Sequence, residues 1–219
     1  LDKESSQINI DDLGLNQVVL KNFKKSLNSS EGMILVTGPT GSGKTTTLYA
    51  GLRHINDNSL NILTVEDPIE YTLEGIGQTQ VNNKTGYDFA RGLRSILRQD
   101  PDVVMLGEIR DEETARIAIQ SSLTGHLVMS TVHTNSAAGA ITRLRDMGIE
   151  SFLLASSLKT IISQRLIRRL CNKCKSESKV SQVAIDLLGL KKGQTVFSAK
   201  GCNDCDGTGF KGRIAIAES

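Results

Sequence analysis

Four stretches of the chain are apolar almost without a break, residues 34–37, 62–66, 103–107 and 127–132, and longer segments of helical periodicity separate them. Strands without apolar–polar alternation are covered on both faces, so these runs predict the central strands of a mainly parallel sheet. Apolar positions three and four apart predict helices over 16–29, 44–56, 88–97, 111–123, 136–147 and 151–170. Asp111 ahead of Glu112 and Glu113 reads as an N-cap with an acidic first turn that suits the helix dipole, and Gly125 and Gly148 read as C-terminal stops. Such alternation predicts an α/β fold whose ligand sits at the carboxyl ends of the strands.

The first of these strands runs into Gly38-Pro39-Thr40-Gly41-Ser42-Gly43-Lys44-Thr45-Thr46 and then a helix. Small residues in that position let backbone N–H groups turn inward around a triphosphate, while the next helix aims its positive end at it. In that role Lys44 reaches the β- and γ-phosphates and the Thr45 hydroxyl sits on Mg²⁺. A glycine-rich turn that binds nothing shares the composition but not the strand-before, helix-after setting.

A second strand ends in Gly107-Glu108, followed by Ile109-Arg110-Asp111. Phosphate-loop enzymes usually place an aspartate where Gly107 stands, so Glu108 either organises Mg²⁺ through water or polarises the attacking water itself. Glu66, with Asp67 and Glu70 close behind, ends a third strand that Pro68 stops. Glu66 is the candidate for orienting the lytic water, with Glu108 as its competitor. The strand over 127–132 leads into His133, placed to sense a γ-phosphate. Arg91, Arg94 and Arg98 are spaced three and four apart on one predicted helix face, and with Arg110 they cluster around the acidic strand; an arginine crossing a subunit interface is a common need of shared nucleotide sites.

The 219 residues suffice for a full core plus a small appendage, and the only shift in composition follows Leu170. A net charge of +2, without a basic stripe interleaved with aromatics, excludes nucleic acid as the default partner. There is no apolar run long enough to cross a bilayer and no leader pattern, so the expectation is a soluble, cytoplasmic chain without a direct membrane span. It starts without Met and ends within a strand-like pattern at 214–219, which is expected of a part of something longer.

All four cysteines lie in two CxxC pairs, Cys171 with Cys174 and Cys202 with Cys205. Four thiolates in two close pairs suit tetrahedral Zn²⁺, and a reducing compartment disfavours two disulfides. The segment from Cys171 to Cys205, with a helical pattern over 181–188 and Lys173, Lys175, Lys179, Lys191 and Lys192, has too little apolar content to hold a core without a metal staple.

The phosphate loop, the acidic box over 64–70, the segment from Ala90 through Arg98 and Asp102 to Asp111, and the histidine box over 125–135 together resemble one family. This is the secretion ATPases of bacterial type II secretion and type IV pilus assembly. The resemblance implies a RecA-like ATPase domain over 1–170 with a lead-in over 1–15, a tetracysteine subdomain over 171–212, and a return over 213–219. It further implies a homo-hexamer that hydrolyses ATP to drive pseudopilus assembly and protein export. The implied partners are the inner-membrane platform and cytoplasmic-domain proteins of the secretion system, through which the motor associates peripherally with the inner membrane. By the same resemblance Gly107 is normal for the family, and Glu66, Glu108, His133, Arg94, Arg98 and Arg110 fall on functional positions. The cysteine module points to assembly rather than retraction, and the pieces at 75–81 and 123–125 favour type II secretion over pilus assembly. Family members usually carry an N-terminal domain that closes over the nucleotide, absent ahead of Leu1, which leaves a binding module without hydrolysis as the competing class.

Overall fold

The computed structural model describes residues 8–57, 59–180, 185–187, 189, 191 and 194–219. The chain forms two compact units, one running up to Arg165 and including Ala215–Ser219, the other spanning Leu166–Ile214.

In the first unit, α1 (Gln17–Leu27), β1 (Gly32–Thr37), α2 (Lys44–Ile55) and β2 (Ile62–Glu66) are followed by a short strand β3 (Gly77–Gln80). Next come α3 (Phe89–Ile96), β4 (Val103–Leu106), α4 (Glu112–Leu123), β5 (Leu127–Val132), α5 (Ala137–Asp146) and α6 (Ser151–Ser157). Strands β6 (Leu158–Leu170) and β9 (Phe210–Glu218) begin or end in this unit, and β7 (Ser176–Ser178) and β8 (Val196–Ser198) belong to the second. The sheet order is β3-β2-β4-β5-β1-β6-β9, with β3 through β6 paired in parallel.

All six residues of β1 and all six of β5 are buried, as strands with helices on both faces must be. Ile34 and Val36 point into one core with Phe23, Tyr49 and Leu52; Met33 and Leu35 point into the other with Leu93, Val104 and Ile119. Helix α1 shows why the periodicity was legible: Val19, Phe23 and Leu27 share one buried stripe, and the Asn16 side chain caps the helix by accepting from the Val19 N–H at 3.0 Å. Asp111 caps α4 in the same way through the Thr114 N–H at 2.8 Å.

The helix expected over 151–170 is a correction. Only Ser151–Ser157 is helical, and the chain then extends into a strand of 13 residues. Thr160, Ile161 and Ile162 are β-branched and stiff at χ1, and the open edge of β1 supplies a ladder of backbone partners from Leu158 to Ser163. Pairing with an already formed sheet outweighs local helical periodicity. Strand β3, Gly-Gln-Thr-Gln, was not anticipated either; as the outermost strand it is half-exposed and carries no apolar run. The strand-like pattern at 214–219 belongs to β9. Arg98, expected to share a helix face with Arg91 and Arg94, lies beyond the end of α3 in a 3-10 turn.

The second unit contains the antiparallel pair β7–β8, with Ser176 opposite Ser198, and two cysteine loops. Within it the Arg168 guanidinium stacks 4.0 Å over the Phe210 ring. Of the helical pattern expected over 181–188, residues 185–187 are helical, and 181–184 and 188 lie outside the described residues, as does Lys192. Among the described residues no helix is long and apolar enough to cross a membrane.

Candidate nucleotide site and tetracysteine centre

Where β1 ends, the chain turns through residues 38–43 and enters α2 at Lys44, with Gly43 as a left-handed N-cap at φ 85°. Gly38 is required twice over: its φ is 147°, and a Cβ there would stand 2.3 Å from the Gln164 carbonyl oxygen and 2.6 Å from Ser42 Oγ. Above the loop there is room, since a Cβ at Gly41 meets nothing within 4 Å. Pro39, Thr40 and Gly41 are exposed, and Thr45 and Thr46 are half-buried in the first turn of α2. Ser42 Oγ is buried and has no hydrogen-bond partner among the described residues. The Lys44 ammonium donates to the carbonyls of Gly38 at 3.0 Å and Pro39 at 3.1 Å. Burial lowers its pKa, and the opposing pull of Glu108 partly restores it.

Glu108 is nearly buried, its side chain 13% exposed, yet it keeps one oxygen toward His133 Nε2 at 3.5 Å and accepts from Arg110 Nη2 at 2.5 Å through the other. The bond to Glu108 is the main reason the Arg110 pKa is raised. Threonines brace this end of the sheet: Thr131 Oγ1 donates to the Gly107 carbonyl at 2.8 Å, and Thr37 Oγ1 accepts from the Thr134 N–H at 3.0 Å.

Glu66 is differently placed. It is 2% exposed, and its carboxylate accepts from Thr64 Oγ1 at 2.6 Å, Gln78 Nε2 at 3.0 Å and the Tyr49 hydroxyl. Burial, reinforced by Glu66, pushes the Tyr49 phenol far above its ordinary pKa. Asp67 and Glu70, by contrast, are exposed, so of the three carboxylates at this strand end only Glu66 had to be matched with donors.

The arginines divide. Arg110 is at Glu108; Arg94 pairs with Glu113 at 2.5 Å on the exposed surface of α3 and α4; Arg98 is exposed and has no ion pair among the described residues.

Sequence reasoning missed Gln164, Tyr49 and Gln78. Gln164 is 2% exposed, donates to the Ser42 carbonyl at 2.7 Å and accepts from Thr47 Oγ1 at 2.8 Å. It lies in the strand misread as a helix, and Gln78 in the unanticipated edge strand, so no local signal pointed at either.

In the second unit, the sulfurs of Cys171, Cys174, Cys202 and Cys205 all lie within 4.8 Å of one another, and none is in a disulfide. Three of the pairs are 3.9 Å (Cys171–Cys202), 3.7 Å (Cys174–Cys205) and 3.7 Å (Cys202–Cys205) apart. Tetrahedral Zn²⁺ with Zn–S of about 2.3 Å sets its sulfurs about 3.8 Å apart, so the set fits zinc. The N–H groups of Cys202 and Gly209 each point at Cys205 Sγ at 3.2 Å; burial pushes that thiol up, but these donors and its neighbours bring it down to about 7. Asp204 beside the cluster is held by Lys173 at 2.8 Å and Lys211 at 2.9 Å.

A family model for Type II/IV secretion system proteins matches residues 1–219. The chain belongs to this family. Type II secretion system protein E of Pseudomonas aeruginosa is 58% identical over 220 residues, covering 100% of this chain and 44% of the relative. Type II secretion system ATPase E of Vibrio cholerae is 56% identical over 220 residues, with the same coverage of 100% and 44%. The chain therefore spans less than half the length of these curated relatives. Among solved structures, the pilus retraction motor PilT with bound ADP superposes with a TM-score of 0.68 at 40% identity, over 75% of this chain and 50% of that one. The Legionella pneumophila ATPase DotB gives 0.63 at 29% identity, over 74% and 47%. The secretion-family fold thus agrees with the α/β architecture and its mostly parallel sheet.

Proposed function

We propose that this chain is the motor part of an ATPase that drives pseudopilus assembly and protein export in type II secretion, working as a homo-hexamer. The observation that carries the reading is the Lys44 ammonium, set in a glycine loop between β1 and α2, under the electrostatic pull of the nearly buried Glu108 at the end of β4.

In this reading the loop N–H groups and Lys44 receive the β- and γ-phosphates of ATP, Lys44 exchanging the Gly38 and Pro39 carbonyls for phosphate oxygens. Mg²⁺, a hard cation, would find oxygen donors in the Thr45 hydroxyl and, through water, the Glu108 carboxylate, and would neutralise charge on the phosphates. Glu108 polarises the attacking water. Its carboxylate is tethered on one side by Arg110 and faces the half-exposed His133, which reads the γ-phosphate. Glu66, closed off by three donors, supports the sheet end and leaves the water to Glu108. Exposed Arg94 and Arg98 are candidates to reach a neighbouring subunit's phosphates. The four cysteines hold one structural Zn²⁺ and leave no open position on it. Partners at the inner-membrane platform, together with cytoplasmic-domain proteins of the secretion system, would hold the motor peripherally at the membrane.

The test is ATP turnover by the intact protein across protein concentration. Turnover that rises steeply as rings assemble, and is lost in Glu108→Gln with ATP still bound, supports the motor. Tight binding with no turnover in the assembled ring would instead make the chain a nucleotide-regulated binding module.

A further inference from the structure

We infer that Gln164 is a positioning residue of the phosphate loop, fixing the orientation of the Ser42–Gly43 peptide so that the Gly43 N–H faces phosphate. The inference rests on the nucleotide-binding reading of that loop.

Both ends of the buried Gln164 amide are committed: Nε2 donates to the Ser42 carbonyl at 2.7 Å, and Oε1 accepts from Thr47 Oγ1 at 2.8 Å. The Ser42 carbonyl decides which way the amide faces, because it only accepts and a reversed amide would set oxygen against oxygen there; the Thr47 hydroxyl, able to donate or accept, then donates to the amide oxygen and anchors its other end. A trans peptide holds its C=O and the following N–H on opposite sides of a plane. Drawing the Ser42 oxygen down to Gln164 therefore turns the Gly43 N–H away from the core, toward the open side of the loop. The alternative orientation would aim a carbonyl dipole at an anion. Glycine at 43, with φ 85°, makes that peptide easy to rotate, so something outside the loop has to hold it. The β6 backbone is pressed close at the same place, since a Cβ on Gly38 would stand 2.3 Å from the Gln164 carbonyl oxygen. Gln164 thus acts from beneath the loop, through Ser42, without touching the ligand.

The experiment measures ADP affinity, ATP KM and kcat, and the melting temperature of the intact protein for wild type, Gln164→Leu and Thr47→Val. Leucine keeps the volume and removes both hydrogen bonds; valine keeps the shape of Thr47 and removes only the hydrogen bond that anchors the far end of the amide. The expected result is a tenfold loss of ADP affinity in Gln164→Leu and a threefold loss in Thr47→Val. ATP KM should rise in parallel while kcat at saturation falls less than threefold. A residue that only packs would lower the melting temperature and leave the affinity of the folded protein alone. Unchanged ADP affinity in either folded variant overturns the inference. Wild-type protein that fails to bind ADP overturns the nucleotide reading itself, and the inference with it.

Discussion

The Tyr49 hydroxyl of α2 donates to the Glu66 carboxylate at the end of β2, two fully buried side chains on neighbouring elements. A carboxylate 2% exposed is tolerable only when its lone pairs are matched, and Tyr49 shares that task with Thr64 and Gln78. The same bond ties the helix that begins at the phosphate loop to the strand that carries the acidic box.

Tyr49→Phe should destabilise the protein by about 1.5–3 kcal/mol, the range for a lost hydrogen bond to a charged group. Burial and Glu66 raise the Tyr49 pKa in the folded state above the unfolded value of about 10, so its contribution is whole below about pH 10 and declines above it. Denaturant unfolding at increasing alkaline pH checks both points: wild type loses stability above about pH 10 more steeply than Tyr49→Phe does.

Lys44→Ala should abolish ADP binding with the fold retained, because among the described residues the ammonium's hydrogen bonds go to two loop carbonyls, those of Gly38 and Pro39. Calorimetric titration with ADP, beside a thermal melt, separates the two. Equal ADP affinity in the variant would remove the loop from the active site.

Glu108→Gln and Glu66→Gln should behave differently. The first keeps shape at a site that faces Lys44 and His133, so ATP stays bound and turnover falls by two orders of magnitude or more, on the order of what general-base loss costs. The second sets an amide NH₂ among the donor groups of Tyr49, Thr64 and Gln78, so it should lower the melting temperature before it affects chemistry. Single-turnover hydrolysis alongside thermal melts distinguishes them, and an active Glu108→Gln with a folded, inactive Glu66→Gln would transfer the water to Glu66.

Elemental analysis should find one zinc per chain, lost in Cys171→Ser or Cys202→Ser. Without the metal, limited proteolysis should cut within residues 166–214 while ADP affinity at the phosphate loop is unchanged, since that loop belongs to the other compact unit. Secretion in cells should fail. Carefully purified wild-type protein with no zinc, or a Cys202→Ser variant that secretes normally, would take the metal out of the mechanism.

What the sequence by itself determined was whatever depends on near neighbours in the chain. The four buried strands, the phosphate loop from Gly38 to Thr46, the Asp111 cap and the paired CxxC elements each declare themselves within a dozen residues, because periodicity, capping and turn chemistry are local. Tertiary structure decided the rest. Residues 158–170 became a strand because β1 offered a free edge, and with that choice Gln164 came under the phosphate loop, 122 positions from Ser42 in sequence. The polar edge strand β3 brought Gln78 to Glu66, and the exposed pairing of Arg94 with Glu113 set it apart from Arg110 at Glu108. A buried polar group is satisfied by whichever partner the packed chain brings within about 3 Å, and no pattern along the sequence records which one that is.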